Sequence, residues 1–354
     1  MKFLVIQQKM IGDVLTSSIL CENLKRIFPG CRVDFVANDT TLPVIAGNPY
    51  IDNVIVFRKE YRKSKTAFLK FLRTFGKTSY DVLIDAYGKT ESNLISWFSP
   101  AKTKISYYKW YTHFLYTHAL KRYVSPEPGT GLAVANRLLL LKPLLREDIP
   151  LITRPKIYLD ARETEQAKRF LETHRIDPAR PLVMLSVLGS DASKTYPLPY
   201  MAKVIGTVAR HSEATLLFNY IPAQSETAKA LYLLCDPAAQ ARIKFNVFAP
   251  SLRDFLGLLY HCKALIGNEG GAVNMAKALE VPTFSIFSPW IAKEAWDLFG
   301  DRRNVAVHLR DVEPGAFEAK KQKELRKRAP QLYERFTPER FEDELQRFLN
   351  TVLK

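Results

Sequence analysis

Three short stretches bring together side chains that could run a group transfer. Lys9-Met10-Ile11-Gly12-Asp13 falls where an apolar run, Phe3 to Ile6, gives way to a helical stretch from Asp13 to Phe28. In an open α/β sheet ligands bind beyond the carboxyl ends of the strands, so a carboxylate at such a turn could act as a general base. Asp is equally favoured at a helix start, where it complements the positive end of the helix dipole, so a simple cap also fits Asp13. In Leu185 to Pro197, Gly189, Ser190 and Ser193 allow close approach to a ligand, and Lys194 could reach a phosphate as a point charge. A flexible surface loop with an incidental lysine fits that stretch as well. Glu269-Gly270-Gly271 then opens a small-residue helix that runs through Asn274 to Leu279 and is closed by Pro282. Paired glycines there expose backbone N–H groups to a phosphate, although a tight turn alone would also require glycine. The segment matches neither G-x-G-x-x-G nor G-x-x-x-x-G-K-[ST], so neither a dinucleotide fingerprint nor a P-loop is indicated.

Positioning these groups requires parallel strands with helices between them. In the first half the β runs Phe3 to Ile6, Arg32 to Val36, Val54 to Phe57 and Val82 to Ile84 are continuous in Val, Ile, Leu and Phe, as in a sheet covered on both faces. The alternation restarts after residue 155, with helices over 161–173, near 199–210 and near 225–235, and strands at 182–186, 215–218, 263–266 and 283–287. Pro143, Pro150 and Pro155 interrupt the chain between the two series, which places a hinge near 150–160. At the other end, Thr337-Pro338-Glu339 reads as a helix start with Thr337 as cap, followed by Phe341, Leu345, Phe348, Leu349 and Val352 at helical spacing.

The 354 residues carry 52 Lys+Arg against 36 Asp+Glu, a net charge of +16, and 47% are hydrophobic. That is enough chain for two domains with cores of their own, which excludes disorder as the main state. No window approaches the roughly 18 uninterrupted apolar residues of a membrane span, and Met1-Lys2 is followed by too short an apolar run for a secretory signal. The four cysteines, Cys21, Cys31, Cys235 and Cys262, are scattered without a C-x-x-C pair, which predicts neither disulfides nor a cysteine zinc site and suits a cytoplasmic location. The positive surplus favours an anionic partner, whether nucleic acid, a phosphorylated small molecule or an acidic membrane surface.

Taken together, Ile11-Gly12-Asp13, Lys194 ahead of Tyr196-Pro197, and Glu269-Gly270-Gly271 through Leu279 resemble the pattern of glycosyltransferase family 9, the family of the lipopolysaccharide heptosyltransferases. Weaker matches are Tyr80 to Asp85, Glu226, and Ser251-Leu252-Arg253-Asp254, in compatible order. The resemblance implies an α/β fold of GT-B type, two Rossmann-like doubly wound domains facing a cleft. Residues 1–158 would then bind the acceptor, 159–335 the nucleotide-sugar donor, and the helix in 336–354 would cross back to the first domain. It also implies an inverting, metal-independent transfer with no cofactor beyond the nucleotide-sugar co-substrate, ADP-heptose being one such donor. Asp13 would take the acceptor proton, Lys194 and the amides of Gly270 and Gly271 would stabilise the departing diphosphate, and Glu226 would hold the ribose hydroxyls. Glu269 and Asn274 stand where the heptosyltransferases carry Asp and His, and would face the donor. The chain has no D-x-D triplet, so cationic and backbone groups must neutralise the leaving group.

The charge pattern suits an anionic acceptor. From Arg58 to Lys77 there are eight basic residues against one acidic, and Arg58, Lys59, Arg62 and Lys63 lead that run. A phosphorylated glycolipid at the cytoplasmic face of the inner membrane would be attracted by such a segment, with no nucleic acid involved. A solvated helical face explains it too. A second basic cluster, Lys320 to Arg328, precedes the last helix, and the aromatic stretch Tyr107 to Tyr111 with Phe114 and Tyr116 suits either a membrane interface, sugar rings or core packing. Two other functions compete with catalysis: a basic nucleic-acid-binding protein, which the charge supports without any recognised motif, and an inactive sugar-nucleotide-binding scaffold, which the Glu269 and Asn274 departures suggest.

Overall fold

The computed structural model describes residues 1–125, 131–146, 149–317 and 322–353. The chain divides into two compact units, Met1–Tyr158 and Leu159–Lys354.

The first unit is built on β1 (Lys2–Ile6), β2 (Arg32–Asn38), β3 (Asn53–Phe57), β4 (Val82–Asp85), β5 (Thr103–Tyr107) and β6 (His118–Leu120), ordered β3-β2-β1-β4-β5-β6. Every pairing is parallel. Phe3, Leu4, Val5 and Ile6 of β1 are wholly buried, as are Leu83 and Ile84 of β4, because helices cover both faces and leave no wet side to a parallel strand. The strand order reverses between β1 and β4, where Ile6 pairs with Asp85, so the loops after these two strands flank the crevice in which doubly wound sheets bind ligands. Strands β5 and β6 go beyond the sequence reading. Thr103-Lys-Ile-Ser-Tyr107 mixes polar and apolar residues, and three-residue β6 lies on the edge of the sheet, so neither carries an apolar run.

Helices α1 (Ile11–Ser17) and α2 (Ile19–Ile27) replace the single helix predicted from Asp13 to Phe28. The break at Ser18 has a local cause: the Thr16 and Ser18 hydroxyls donate back to the Gly12 and Leu15 carbonyls, at 2.8 and 2.7 Å, a competition that bends helices. Next come α3 (Glu60–Lys63), α4 (Lys65–Gly76), α5 (Thr90–Phe98) and α6 (Leu132–Leu139).

The second unit repeats the plan with β7 (Leu182–Ser186), β8 (Thr215–Asn219), β9 (Ala264–Asn268), β10 (Thr283–Ile286) and β11 (Asn304–Val307), all parallel and ordered β11-β10-β9-β7-β8. Here the order reverses between β7 and β9. Around them lie α7 (Ala161–Thr173), α8 (Leu198–His211), α9 (Ser225–Leu234), α10 (Pro237–Arg242), α11 (Leu252–Tyr260) and α12 (Gly271–Ala278). The tail adds α13 (Lys293–Trp296), α14 (Leu309–Val312), α15 (Gln322–Lys327), α16 (Ala329–Glu334) and α17 (Glu342–Val352).

The end of the chain corrects one expectation. Pro338–Arg340 forms a single 3₁₀ turn, Thr337 makes no side-chain capping bond, and α17 starts only at Glu342. Helix α17 spends its apolar face on the second unit. Leu345, Phe348 and Leu349 are buried in that unit's core, with the Phe348 ring 5.7 Å from Phe284 of β10. Each such burial is worth roughly 1.5 to 3 kcal/mol. Among the described residues no helix is long and apolar enough to cross a membrane.

Candidate active site

Asp13 stands in the first turn of α1, just past the carboxyl end of β1. Its Oδ2 accepts from the Met10 N–H at 3.4 Å, which is the capping contact, and its Oδ1 lies 2.5 Å from Nη2 of Arg137 on α6. Arg137 is buried, and its Nε donates to Ser17 Oγ at 3.1 Å, so one rigid fork ties α1 at two points. Burial by itself would lower the guanidinium's proton affinity, but Tyr107 and Asp13 outweigh it and hold it above the ordinary arginine value. Asp13 keeps 27% of its side chain exposed, so it can meet an incoming hydroxyl while α6 fixes its orientation. Nothing in Leu138 to Leu141 marked Arg137 as more than part of a helical run, because its partner lies 124 positions away.

Across the reversal point, Asp85 ends β4 wholly buried. It accepts from the amides of Tyr87 and Gly88, at 3.0 and 2.8 Å, and from the Tyr116 hydroxyl at 2.6 Å. Burial pushes its carboxyl above the usual range, against the pull of these donors. The result is a fixed turn beside Asp13, and it assigns Asp85 a structural part in the weak Tyr80 to Asp85 match.

Arg58 and Lys59 follow β3, and Arg62 and Lys63 lie on α3, so all four stand at the same carboxyl edge of the sheet as Asp13. Arg62 pairs with Glu91 of α5 at 3.5 Å, and Arg58 pairs loosely with Glu60 at 3.9 Å. The aromatic stretch divides. Tyr107 and Tyr116 are buried and hydrogen-bonded, whereas Trp110 and Phe114 are 76% and 67% exposed and Tyr108 and Tyr111 also face outward.

In the second unit both loops at the β7/β9 reversal carry predicted site residues. Lys194 Nζ lies 3.6 Å from Glu269 Oε1, joining the loop after β7 to the turn after β9. Asn268 locks the same junction, accepting from the Tyr196 N–H at 2.7 Å and donating to the Ser186 carbonyl at 2.9 Å. Gly189 is required because a Cβ there would meet the Lys194 carbonyl oxygen at 2.4 Å, so the loop folds tightly on itself. Gly270 has φ +149° at the head of α12, a conformation that favours glycine and leaves the helix's first amides uncovered. Burial pushes the Glu269 carboxyl up, opposed by Lys194, and its Oε1 has no hydrogen-bond partner among the described residues. Asn274 is half-buried in the first turns of α12.

Two further residues were not legible in the sequence. The indole of Trp290 donates to the Ser193 carbonyl at 3.0 Å, and Ser288 Oγ donates to the same oxygen at 2.7 Å, which braces the Lys194 loop from the segment after β10. Lys194 Nζ lies 5.5 Å from the Trp290 ring centre. Glu226 is exposed in the first turn of α9, after β8, and is brought to this edge by the sheet alone; Gln224 beside it reaches Gly189 O at 2.8 Å. Ser251 to Asp254 turns out to be helix-building: Ser251 caps α11, and Arg253 is ion-paired with Glu163 of α7. In the second basic cluster, Lys320 and Lys321 lie outside the described residues. No three His, Cys, Asp or Glu side chains among the described residues gather as a metal site requires.

Comparison with known proteins gives a consistent picture. The sequence model described as glycosyltransferase family 9 (heptosyltransferase) matches residues 68–322. A lipooligosaccharide heptosyltransferase 2 from Haemophilus influenzae is 21% identical over 301 residues, covering 82% of this chain and 84% of that protein. A family 9 glycosyl transferase from Veillonella parvula superposes with a TM-score of 0.74 at 15% identity, over 99% of this chain and 97% of its own. The ADP-heptose lipopolysaccharide heptosyltransferase II of E. coli gives 0.72 at 17% identity, with 99% of each chain covered. At such identities the superpositions speak for the fold, two parallel α/β sheets of GT-B type.

Proposed function

The chain belongs to glycosyltransferase family 9, and from that premise we propose that it moves a heptose or related sugar from a nucleotide-sugar donor to an anionic cell-envelope glycolipid, with inversion and without a metal. One observation carries the reading. The two sheets each reverse strand order once, and chemically opposite groups stand at those points: the Asp13 carboxylate at β1/β4, and Lys194 with the Gly270 and Gly271 amides at β7/β9.

The chemistry follows from that division. Asp13 accepts the proton of an acceptor hydroxyl as its oxygen attacks the anomeric carbon, and the bond from that carbon to the diphosphate oxygen breaks on the far side. A single displacement of this kind inverts the anomeric centre. Lys194 and the α12 amides receive the negative charge that collects on the diphosphate, the work a divalent cation does in other transferases. Glu269 is held behind Lys194, its buried Oε1 3.6 Å from Nζ but without a hydrogen bond among the described residues, placed to accept from a sugar or ribose hydroxyl, and Glu226 and Asn274 complete the donor contacts. ADP-heptose is the donor class we favour.

For the acceptor, Arg58, Lys59, Arg62 and Lys63 supply cations and the exposed Trp110 and Phe114 supply an apolar rim, on loops of the same sheet edge. Such a pairing suits a phosphorylated glycolipid at the cytoplasmic face of a membrane, where each basic residue near an anionic leaflet is worth about 1 kcal/mol. The experiment is a thermal-shift screen against ADP, GDP, UDP and CDP and their sugar conjugates, with and without EDTA. A chelator-insensitive rise with one nucleotide is the expected result, since binding to the native state stabilises it. No rise with any, or a rise abolished by EDTA, would overturn the reading.

A further inference from the structure

In the basic cluster ahead of the last helix, Arg326 is not simply solvated. Leu325 is buried in the second unit's core and anchors α15, and this places its neighbour Arg326 against the Lys194 loop. The Arg326 guanidinium carbon lies 5.1 Å from the centre of the Trp290 ring, the same indole that has Lys194 Nζ at 5.5 Å. Its Nη2 is 3.6 Å from Oδ2 of Asp191, whose Oδ1 is occupied by the amide and hydroxyl of Ser193, at 3.0 and 2.6 Å. Two cations therefore converge on one aromatic ring from distant parts of the chain, and that ring is bonded to the middle of the loop.

We propose that Arg326 is a second phosphate-binding residue for the donor, acting with Lys194 on the diphosphate; this rests on the reading of the β7/β9 loops as the donor site. Each cation now faces a carboxylate, Lys194 with Glu269 and Arg326 with Asp191, and neither pair is tight. At 3.6 Å both are longer than the 2.7 to 2.9 Å of a strong charge-assisted hydrogen bond. Asp191 is the weaker competitor, because the Ser193 hydroxyl and amide, ahead of Arg326 and Lys194, already satisfy it and hold its carboxyl below the usual range. A diphosphate offers more charge and a bidentate geometry that a planar guanidinium matches better than an ammonium does. Cation–π contact with Trp290 keeps the guanidinium positioned without consuming its N–H donors. Arg326 is thus held beside the loop with its donors still available, while Lys323 and Lys327 on the same helix point to solvent.

The test uses the full-length protein with Arg326→Ala and Arg326→Lys, titrated calorimetrically with ADP, GDP, UDP and CDP and with the matching nucleosides. For the nucleotide that wild type binds, Arg326→Ala should weaken diphosphate affinity on the order of tenfold, Arg326→Lys should recover part of it, and nucleoside affinity should stay put. Melting temperature should be unchanged, since the side chain is 56% exposed. Equal diphosphate affinity in wild type and Arg326→Ala would overturn the assignment, as would an equal loss for nucleoside and diphosphate, which is the mark of a structural effect. Failure of wild type to bind any of the four would instead bring down the donor-site reading, and this inference with it.

Discussion

Arg137 holds Asp13 by its Oδ1, at 2.5 Å, from beneath the surface of the first unit. Because the second arm of the same guanidinium is spent on Ser17 Oγ, the arginine is fixed before it meets the carboxylate. Asp13 is therefore oriented by the fold and does not depend on substrate to settle it. In the proposed reaction a base aimed in advance would cost no reorganisation when the acceptor arrives, and Oδ2, which takes only the 3.4 Å contact from the Met10 N–H, would be the oxygen that accepts the proton.

Replacing Asp13 with Asn should cut turnover by about 10² to 10⁴, the usual worth of a general base, while donor affinity stays within a factor of two or so. Arg137→Lys is the companion variant. An ammonium cannot span both Ser17 and Asp13, so kcat should fall and the donor Kd should not. Steady-state rates and calorimetric donor titrations read both, and near-normal turnover in Asp13→Asn would remove that residue from the chemistry.

Glu269 makes a prediction with a sign. Its carboxyl titrates higher in the folded chain than the ordinary 4.5, chiefly because of burial, so the native state holds more protons than the unfolded one in the window just above that value. Stability is then lost as pH rises through the window. Glu269→Gln removes the ionisation, and the unliganded variant should melt higher than wild type at pH 7 while binding donor more weakly. A lower melting temperature would mean that the Lys194 pair outweighs the burial cost.

His308 acts in the opposite direction. Burial, ahead of the flanking charges, pushes its imidazole down to about 4 from the ordinary 6.5, and Nδ1 accepts the Arg310 N–H at 2.9 Å as the cap of α14. Protonation favours the unfolded chain, so the stabilisation is complete above about 6.5 and is lost as pH falls toward 4, a swing on the order of 3 kcal/mol. His308→Asn keeps an acceptor at the cap and should flatten that acid limb. Melting curves from pH 7 down to 4.5 measure it, and unchanged slopes in the two proteins would show that another group titrates there.

Much of this was readable beforehand because it is local. Asp13, Lys194 and Glu269 each sit in the loop or first helical turn that follows an apolar run, where a parallel sheet must present its loops, and the glycines around them admit close approach. What the sequence did not disclose is pairing at a distance. Arg137 lies 124 positions from Asp13, and Trp290 lies 97 positions from the Ser193 carbonyl it braces. Strands β5 and β6 were hidden by polar residues, and the α17 stripe of Leu345, Phe348 and Leu349 says that a core is needed without saying which. The aromatic stretch divided between core and surface for the same reason, since Tyr107 and Tyr116 gained buried partners and Trp110 and Phe114 did not.

That exposed pair is where the acceptor reading can fail. Between Ser92 and Val124 the chain has no acidic residue, so Trp110 and Phe114 are carried by an entirely neutral or cationic segment, with Lys59 and Lys63 at the same sheet edge. If the partner is an anionic bilayer, wild type should sediment with phosphatidylglycerol-rich vesicles and not with purely zwitterionic ones. Trp110→Ala with Phe114→Ala should cost on the order of tenfold in partitioning by removing buried apolar area. Lys59→Gln with Lys63→Gln should cost roughly thirtyfold, at about 1 kcal/mol per charge, and its defect should disappear at high salt while that of the aromatic pair persists. Nucleotide affinity should be unchanged in both. Equal binding to the two kinds of vesicle would leave the cations with the soluble part of the acceptor, and full binding by the aromatic variant would mean that Trp110 and Phe114 face something other than lipid.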